Sequence, residues 1–237
     1  DVSYNRNKVV SLAGVDYDIS KGLFVGKPLG SIYGYKTDGL FVDQNDINNY
    51  ATQNYTAAPG LIRYKDISGP DGTPDGIIDA AYDRTVIGNS IPKYTFGLNL
   101  QADYNNFDLF VQFQGLAGYQ KRIDGLRFAL HNNGNIEQWH DDNRWSTENP
   151  NKNAKYPRLT PLGSTPEPPF GPDSEYWLQD ASFVRLKTLQ LGYSIPKQYL
   201  DKLSINRLRF YVSGQNLFTF SHYVEGWDPE MSNEGYA

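Results

Sequence analysis

The chain has 237 residues, with 27 acidic and 22 basic side chains, a formal charge of −5 and no cysteine. Those numbers exclude a disulfide framework and any Cys-built zinc or iron–sulfur site, and the mild negative charge argues against nucleic acid as a partner, which needs a basic face. With 39% hydrophobic and 14% aromatic residues, 22 Gly and 14 Pro, the composition is that of a folded, β-rich and turn-rich chain rather than a disordered one.

No run of about 18 apolar residues occurs, which excludes a transmembrane helix. A membrane β-barrel remains open, because its strands cross in about 9–11 residues and present apolar side chains only at alternate positions. The mean hydropathy of −0.59 suits such a barrel and a soluble β-sandwich equally. The opening DVSYNRNKVV has neither a basic start nor an apolar stretch, so no signal peptide is expected within it.

In chain order, the first strands are expected near residues 4–12 and 31–41. Segment 41–93 follows, more than fifty residues rich in Asn, Asp, Pro and Gly. From Asp66 to Asp83 it carries five aspartates, Asp66, Asp71, Asp75, Asp79 and Asp83, with no Lys or Arg among them. Clustered carboxylates repel one another, so such a loop is either solvated or ordered around a hard divalent cation, Ca2+ or Mg2+.

The most informative stretch begins at Tyr94. Tyr94, Phe96, Leu98, Leu100, Ala102 and Tyr104 are apolar or aromatic, while Thr95, Gly97, Asn99, Gln101 and Asp103 are polar or small. After Asn105 and Asn106 the pattern resumes on the other parity with Phe107, Leu109, Val111 and Phe113, broken at Phe110. Two long strands joined by an Asn-Asn turn form a β-hairpin. Each arm approaches membrane-crossing length, and aromatic residues cluster at its ends, where the girdles of a membrane barrel fall. A large soluble sheet with one buried face has the same periodicity.

Segment 118–181 is again long. Its Trp139, Trp145 and Trp177, with Tyr119, Tyr156 and Phe170, offer flat faces that stack on sugar rings, meet a protein partner or pack the loop. His140 stands beside Asp141 and Asp142, but no second histidine lies at ligand spacing, and an exposed loop histidine is expected. Prolines in 166–169 stiffen this loop. No nucleophile-base order, phosphate-cradling glycine loop or strained serine elbow is present, so no enzyme is expected.

A second hairpin follows. Leu189, Leu191, Tyr193 and Ile195 alternate with Gln190, Gly192 and Ser194, and after a connection over 196–206 Leu208, Phe210 and Val212 alternate with Arg207, Arg209, Tyr211 and Ser213. If the strands run alternately down and up, the short turns fall on one side and the long segments on the other, the sidedness of outer-membrane barrels.

Several blocks together resemble one family: Ser31-Ile-Tyr-Gly-Tyr-Lys-Thr-Asp-Gly-Leu-Phe41, Pro59-Gly-Leu-Ile-Arg-Tyr-Lys-Asp66, Asp83-Arg-Thr-Val-Ile-Gly88, the hairpin from Pro92 to Gly115, Arg144-Trp145, Tyr156-Pro-Arg-Leu159, and Tyr176-Trp-Leu-Gln-Asp-Ala-Ser-Phe-Val-Arg-Leu-Lys187. In order and spacing they are similar to the C-terminal part of SusC/RagA-type TonB-linked outer-membrane transporters. The resemblance implies an all-β, antiparallel transmembrane β-barrel of about 22 strands with a plugged lumen, of which residues 1–237 supply about six strands with long extracellular loops. It further implies TonB-dependent import of oligosaccharide or peptide across the outer membrane of a Gram-negative bacterium, in company with a SusD-like surface lipoprotein. The plug, the segment that engages TonB and the closing strand are expected outside this chain.

On that reading Phe96, Leu98, Leu100, Leu109 and Val111 face lipid, and Asn99, Gln101 and Asp103 face the lumen. No cofactor is required. Relatives carry an EF-hand-like run in the acidic loop, onto which Asp66, Ser68, Asp75, the Ile77 carbonyl and Asp79 or Asp83 map imperfectly, across an insertion at 69–74. Trp139, Trp145, Trp177 and Tyr119 are the candidates for contact with ligand or lipoprotein. The competing reading is a soluble extracellular β-sandwich for carbohydrate binding or adhesion, with the same tryptophans as platform and the apolar parity of the first hairpin sealed inside.

Overall fold

The structure, a computed structural model, describes residues 1–123, 135–159, 173–201, 204–224 and 226–231. Among them the strands run in order β1 (Val2–Tyr4), β2 (Tyr17–Asp18), β3 (Leu23–Phe24), β4 (Ser31–Tyr35), β5 (Thr37–Leu40), β6 (Ile62–Tyr64), β7 (Arg84–Asn89), β8 (Tyr94–Tyr104), β9 (Phe107–Ala117), β10 (Gln120–Arg122), β11 (Leu178–Asp180), β12 (Phe183–Ser194) and β13 (Arg209–Ser221). Short helical turns lie at Gln44–Asn48, Gln138–Asn143 and Lys197–Leu200. No helix among the described residues is long and apolar enough to cross a membrane. The chain forms two compact units, one built from Asp1–Arg6, Ile91–Tyr119 and Asp180–Met231, the other from Asn7–Ser90 and Gln120–Gln179.

The first unit is one antiparallel sheet in the order β1-β8-β9-β12-β13. Its four long strands have 11, 11, 12 and 13 residues, twice the usual globular length. The β8–β9 hairpin closes with Tyr104 opposite Phe107, and Asn105 takes a φ of +54°, a left-handed conformation that asparagine tolerates in tight turns. Gly115, opposite Phe96, leaves room for that ring: a Cβ there would overlap the Phe96 Cζ. Aromatic cover of a strand glycine fixes the register of the pair.

At Leu186–Thr188 the ladder is irregular. Between matched positions β9 advances one residue, from Phe113 to Gln112, β12 advances two through Lys187, and β13 advances three, from Phe218 to Gln215. Asn216, one of the extra residues, adopts a φ of +52°. The bulge reverses the parity of β12, so Val184 and Leu186 before it share a face with Leu189 and Leu191 after it.

The second unit gives the long segments a core of their own. Leu40, Phe41, Leu61, Ile62, Tyr64, Ile78 and Trp177 are almost fully buried, and Tyr35 stacks on Tyr64 with ring centres 4.5 Å apart. Pairs β2–β3, β4–β7 and β5–β6 frame it. Buried Arg63 is held by Asp46 at 2.6 Å and Asp38 at 2.5 Å and lies 4.3 Å over the Tyr50 ring.

Two expectations are corrected here. Segment 31–41 is not a strand of the long sheet: it forms β4 and β5, paired with β7 and β6 in the second unit. Its side chains do not alternate, and burial at Ser31, Gly34, Tyr35 and Leu40 shows why, since they are enclosed rather than shared between two faces. Segment 4–12 contributes only the end of β1 at Tyr4. The sheet therefore holds five strands among the described residues, one of them short, instead of six.

Candidate functional site

Side chains at directly paired positions of an antiparallel sheet point to the same side, so the register sorts the long sheet into two faces. On one, Leu100 meets Val111 and Val111 meets Leu189, while Ala102, Leu109, Leu191 and Val212 form the next row. Toward the turns lie Tyr104, Phe107, Tyr193 and Phe210, with the Phe107 and Tyr193 rings 4.8 Å apart. Toward the other end lie Phe96 and Phe220, with Tyr94 against Tyr4 at 5.0 Å. An aliphatic middle is thus bounded by aromatic rows. From Phe96 to Tyr104, at about 3.4 Å per residue and a tilt of about 40°, these rows stand roughly 21 Å apart, close to the apolar band of a membrane barrel.

This face is uncovered. Leu98 is 49% exposed, Leu100 50% and Val212 80%. A sandwich would seal these positions under a second sheet. Phe96, Leu98, Leu100, Leu109 and Val111, singled out from sequence, all lie on it, and Asn99, Gln101 and Asp103 all lie on the opposite face.

The opposite face is polar across all four long strands: Asn99 pairs with Gln112, Gln112 with Thr188 and Thr188 with Gln215. Two ionic groups that sequence reading did not isolate cross it. Arg209 of β13 donates Nε and Nη2 to the Asp108 carboxylate of β9 at 2.9 and 2.5 Å. Between those strands lies Gly192, where a Cβ would collide with both partners, so the glycine makes the crossing possible. Nearer the other end Arg185 donates to Asp228 and Glu230, each at 2.5 Å, and Lys187 reaches Glu230 at 2.8 Å. The Arg185 guanidinium holds the Asp228 carboxyl below the usual carboxylate range, and these bonds tie the chain after β13 back onto the polar face. Both groups unite residues more than forty positions apart, a distance periodicity does not bridge.

In the acidic loop the carboxylates serve the backbone. Asp83, fully buried, accepts from the N–H groups of Ile67 and Ser68 on one oxygen and of Asp79 on the other, at 2.8, 3.3 and 2.8 Å. Asp79 accepts from Ala81 and Tyr82, Asp75 from Ile77, and Asp66 from Gly76. Ile77 is 55% exposed, and the Ser68 hydroxyl makes only a long contact, 3.5 Å, to the Gly69 carbonyl. The buried Asp66 Oδ1 has no hydrogen-bond partner, but one oxygen does not make a cation site, and no three His, Asp or Glu among the described residues converge as a metal group would require. Four of the five aspartates of this loop thus accept from backbone amides.

The aromatic candidates divide. Trp145, Trp177 and Tyr119 are 6%, 1% and 3% exposed, so their faces are engaged in packing within this chain. Burial pushes the Tyr119 phenol up to about 12. Trp139 remains half-buried, stacked on His140 at 3.7 Å with Lys155 over its ring at 5.9 Å. Tyr156 is buried against both. His140 is fully enclosed rather than exposed: its Nδ1 accepts from the Glu137 N–H at 3.0 Å, closing the start of the Gln138–Asn143 turn, and burial pushes the imidazole pKa down. Its acidic neighbours are engaged elsewhere, Asp141 with Arg144 at 2.5 Å and Asp142 with Gln138 at 2.9 Å. Phe170 and the prolines of 166–169 lie outside the described residues.

No family model matches the chain. Among curated proteins it is 33% identical over 243 residues to TonB-dependent receptor P3 of Formosa agariphila, covering 97% of this chain and 22% of the receptor. It is 33% identical over 270 residues to receptor P39 of the same organism, covering 99% and 25%. The chain thus spans about a quarter of the length of these relatives. Among solved structures, the RagAB peptide transporter matches with a TM-score of 0.67 and 24% identity over 99% of this chain and 24% of that one. The RagAB importer in its open-open state gives 0.64 and 22%, over 96% and 23%. The fold is that of part of an antiparallel transporter β-barrel.

Proposed function

We propose that this chain is a segment of a TonB-dependent receptor of the SusC/RagA type and that it builds part of the C-terminal wall of an outer-membrane barrel that imports oligosaccharide or peptide nutrients. The apolar face of β8, β9, β12 and β13 contacts hydrocarbon, and the polar face looks into a watery lumen. The second unit forms the outward loops that receive the nutrient beside a SusD-like lipoprotein. A plug and a TonB-engaging segment come from other parts of the full protein, and import is driven through TonB.

One observation carries this reading: an aliphatic band bounded by aromatic rows, exposed and continuous over four strands, with a hydrogen-bonding surface on its reverse. Hydrocarbon removes the cost of exposing the first, while water is needed by the second. No bond is made or broken in this work. The wall holds a wide pore open, and its cross-strand ion pair of Asp108 and Arg209 keeps three strands in register beside the lumen.

The test uses the full-length protein in its own bacterium. The protein is expected in the outer-membrane fraction, soluble only in detergent, and purified with a surface lipoprotein. Uptake of a fluorescently labelled peptide or glycan pool should stop when TonB is deleted. Recovery in the aqueous fraction, or uptake indifferent to TonB, would overturn the reading.

A further inference from the structure

Phe110 interrupts the alternation of the first hairpin, and the register shows where it goes. It pairs with Gln101 of β8 on one side and Gln190 of β12 on the other, so an aromatic side chain stands on the polar face, half-buried. One row away lie Asn99, Gln112, Thr188 and Gln215, and in the row on its other side Asp103 and Asp108. No slip of register put it there, because its neighbours Leu109 and Val111 keep to the apolar face. Contact with hydrocarbon does not account for a ring on the hydrogen-bonding side of the sheet.

Phe110 lines a groove of about 440 Å³ in the first unit, beside the Asn105-Asn106 turn, and that volume lies within the range of small-molecule sites. Gln101 and Gln190 line it on either side of the ring, at directly paired positions whose Cβ atoms stand about 5 Å from that of Phe110. Each amide both donates and accepts. The charged lining residues are Asp103, Asp108, Arg207 and Arg209, two of each sign, and Arg209 already holds Asp108 at 2.5 Å. The lining therefore has no net charge with which to select an ion. Its chemistry matches a sugar: the C–H face of a pyranose lies on the negative face of an aromatic ring, while hydroxyls at the sugar's rim exchange hydrogen bonds with the amides on both sides. An extended peptide adds to a sheet through unpaired backbone groups at an edge. Strand β9 is paired with both β8 and β12, so the groove offers a peptide only side chains.

We propose that this groove is a subsite for a neutral oligosaccharide, with one pyranose ring stacked on Phe110 and its hydroxyls bonded to Gln101 and Gln190. That the sugar is an imported nutrient rests on the importer reading. Binding to the purified protein does not depend on import, so uptake indifferent to TonB with binding retained would strike that reading and leave the subsite standing.

The experiment is calorimetric titration of the full-length receptor in detergent with four probes: neutral hexamers of β-1,4-mannose, α-1,4-glucose and β-1,3-glucose, and an alternating alanine–serine hexapeptide. At least one hexamer is expected to bind about tenfold or more tighter than the peptide, and its affinity to change less than about twofold between roughly 50 and 300 mM salt, since screening acts on charge contacts. Phe110→Leu, which keeps apolar bulk without a ring, should weaken that hexamer about fivefold or more, and Phe110→Tyr should hold it within about twofold. Gln101→Ala with Gln190→Ala should also weaken it about fivefold. The heat-modifiable gel band reports which variants are folded, and if Phe110→Leu does not fold the amide double variant decides. No binding of any hexamer, a peptide bound as tightly as the best hexamer, a steep loss of affinity with salt, or affinity unchanged in either folded variant would overturn the proposal.

Discussion

An arginine placed on either side of the same strand gives the sharpest test of the two-faced sheet. Asn99 is the sixth of the eleven residues of β8 and Leu98 the fifth. At about 3.4 Å per residue and about 40° of tilt, Leu98 lies roughly 5 Å from the middle of the band between Phe96 and Tyr104. Leu98→Arg puts a guanidinium where such a charge costs about 2–4 kcal/mol, and it also removes the cross-strand contact with Phe113, worth roughly 0.2–1 kcal/mol. The sum, about 2–5 kcal/mol, is some one and a half to three and a half decades in the folding equilibrium. Asn99→Arg projects beside Gln112 on the polar face and should cost under about 1 kcal/mol. Tyr104→Arg, at the aromatic edge, should also be mild, near 0–1 kcal/mol, because the cost falls toward the interface. The assay is urea unfolding of the full-length protein in vesicles, with outer-membrane yield as the cellular readout. Equal costs for Leu98→Arg and Asn99→Arg would refute the assignment of faces, and a large cost at Tyr104 would refute the position of the band.

Three further outcomes are expected. Gly192→Ala should destabilise by about 1–3 kcal/mol through collision with Asp108 and Arg209, and a cycle against Asp108→Ala/Arg209→Ala should show most of that loss disappearing once the pair is gone. Asp83→Asn should raise protease sensitivity of loop 66–83, since one of its oxygens becomes a donor facing backbone N–H groups, at about 1–3 kcal/mol for each left unpaired. Chelation of divalent ions alone should leave wild-type digestion unchanged, and opening of the loop by chelator would return the aspartates to metal duty. Asp228 has a folded-state pKa below its unfolded one, so its stabilisation is complete above the unfolded value, near 3.9, and is lost as pH falls through the folded value. Hydrogen exchange in residues 226–231 should therefore accelerate in acid, and Asp228→Asn should flatten that dependence.

The first hairpin was legible because its alternation is unbroken: Tyr94–Tyr104 is read and found with the same ends, as is the Asn-Asn turn. The second was only half legible. Expected from Leu189, β12 begins at Phe183, since Lys187 inverts the parity and makes one strand read as two unrelated pieces. In β13, Gly214-Gln215-Asn216 has the chemistry of a turn, yet the strand continues through it to Ser221, with Leu217 folded over Gly214. The amide bonds of the acidic loop were not legible for a different reason: a carboxylate that binds a cation and one that accepts from backbone amides have the same letter.

The bulge at Lys187 has a consequence for how such walls change length. In the regular stretches of these strands, losing a single residue exchanges every following side chain between oil and water. Because Lys187 is supernumerary relative to β9, its removal leaves Leu189 outward and Thr188 inward on that seam. This is a site where descendants can shorten a strand without turning it inside out, at the expense of the local curvature that the extra residue supplies.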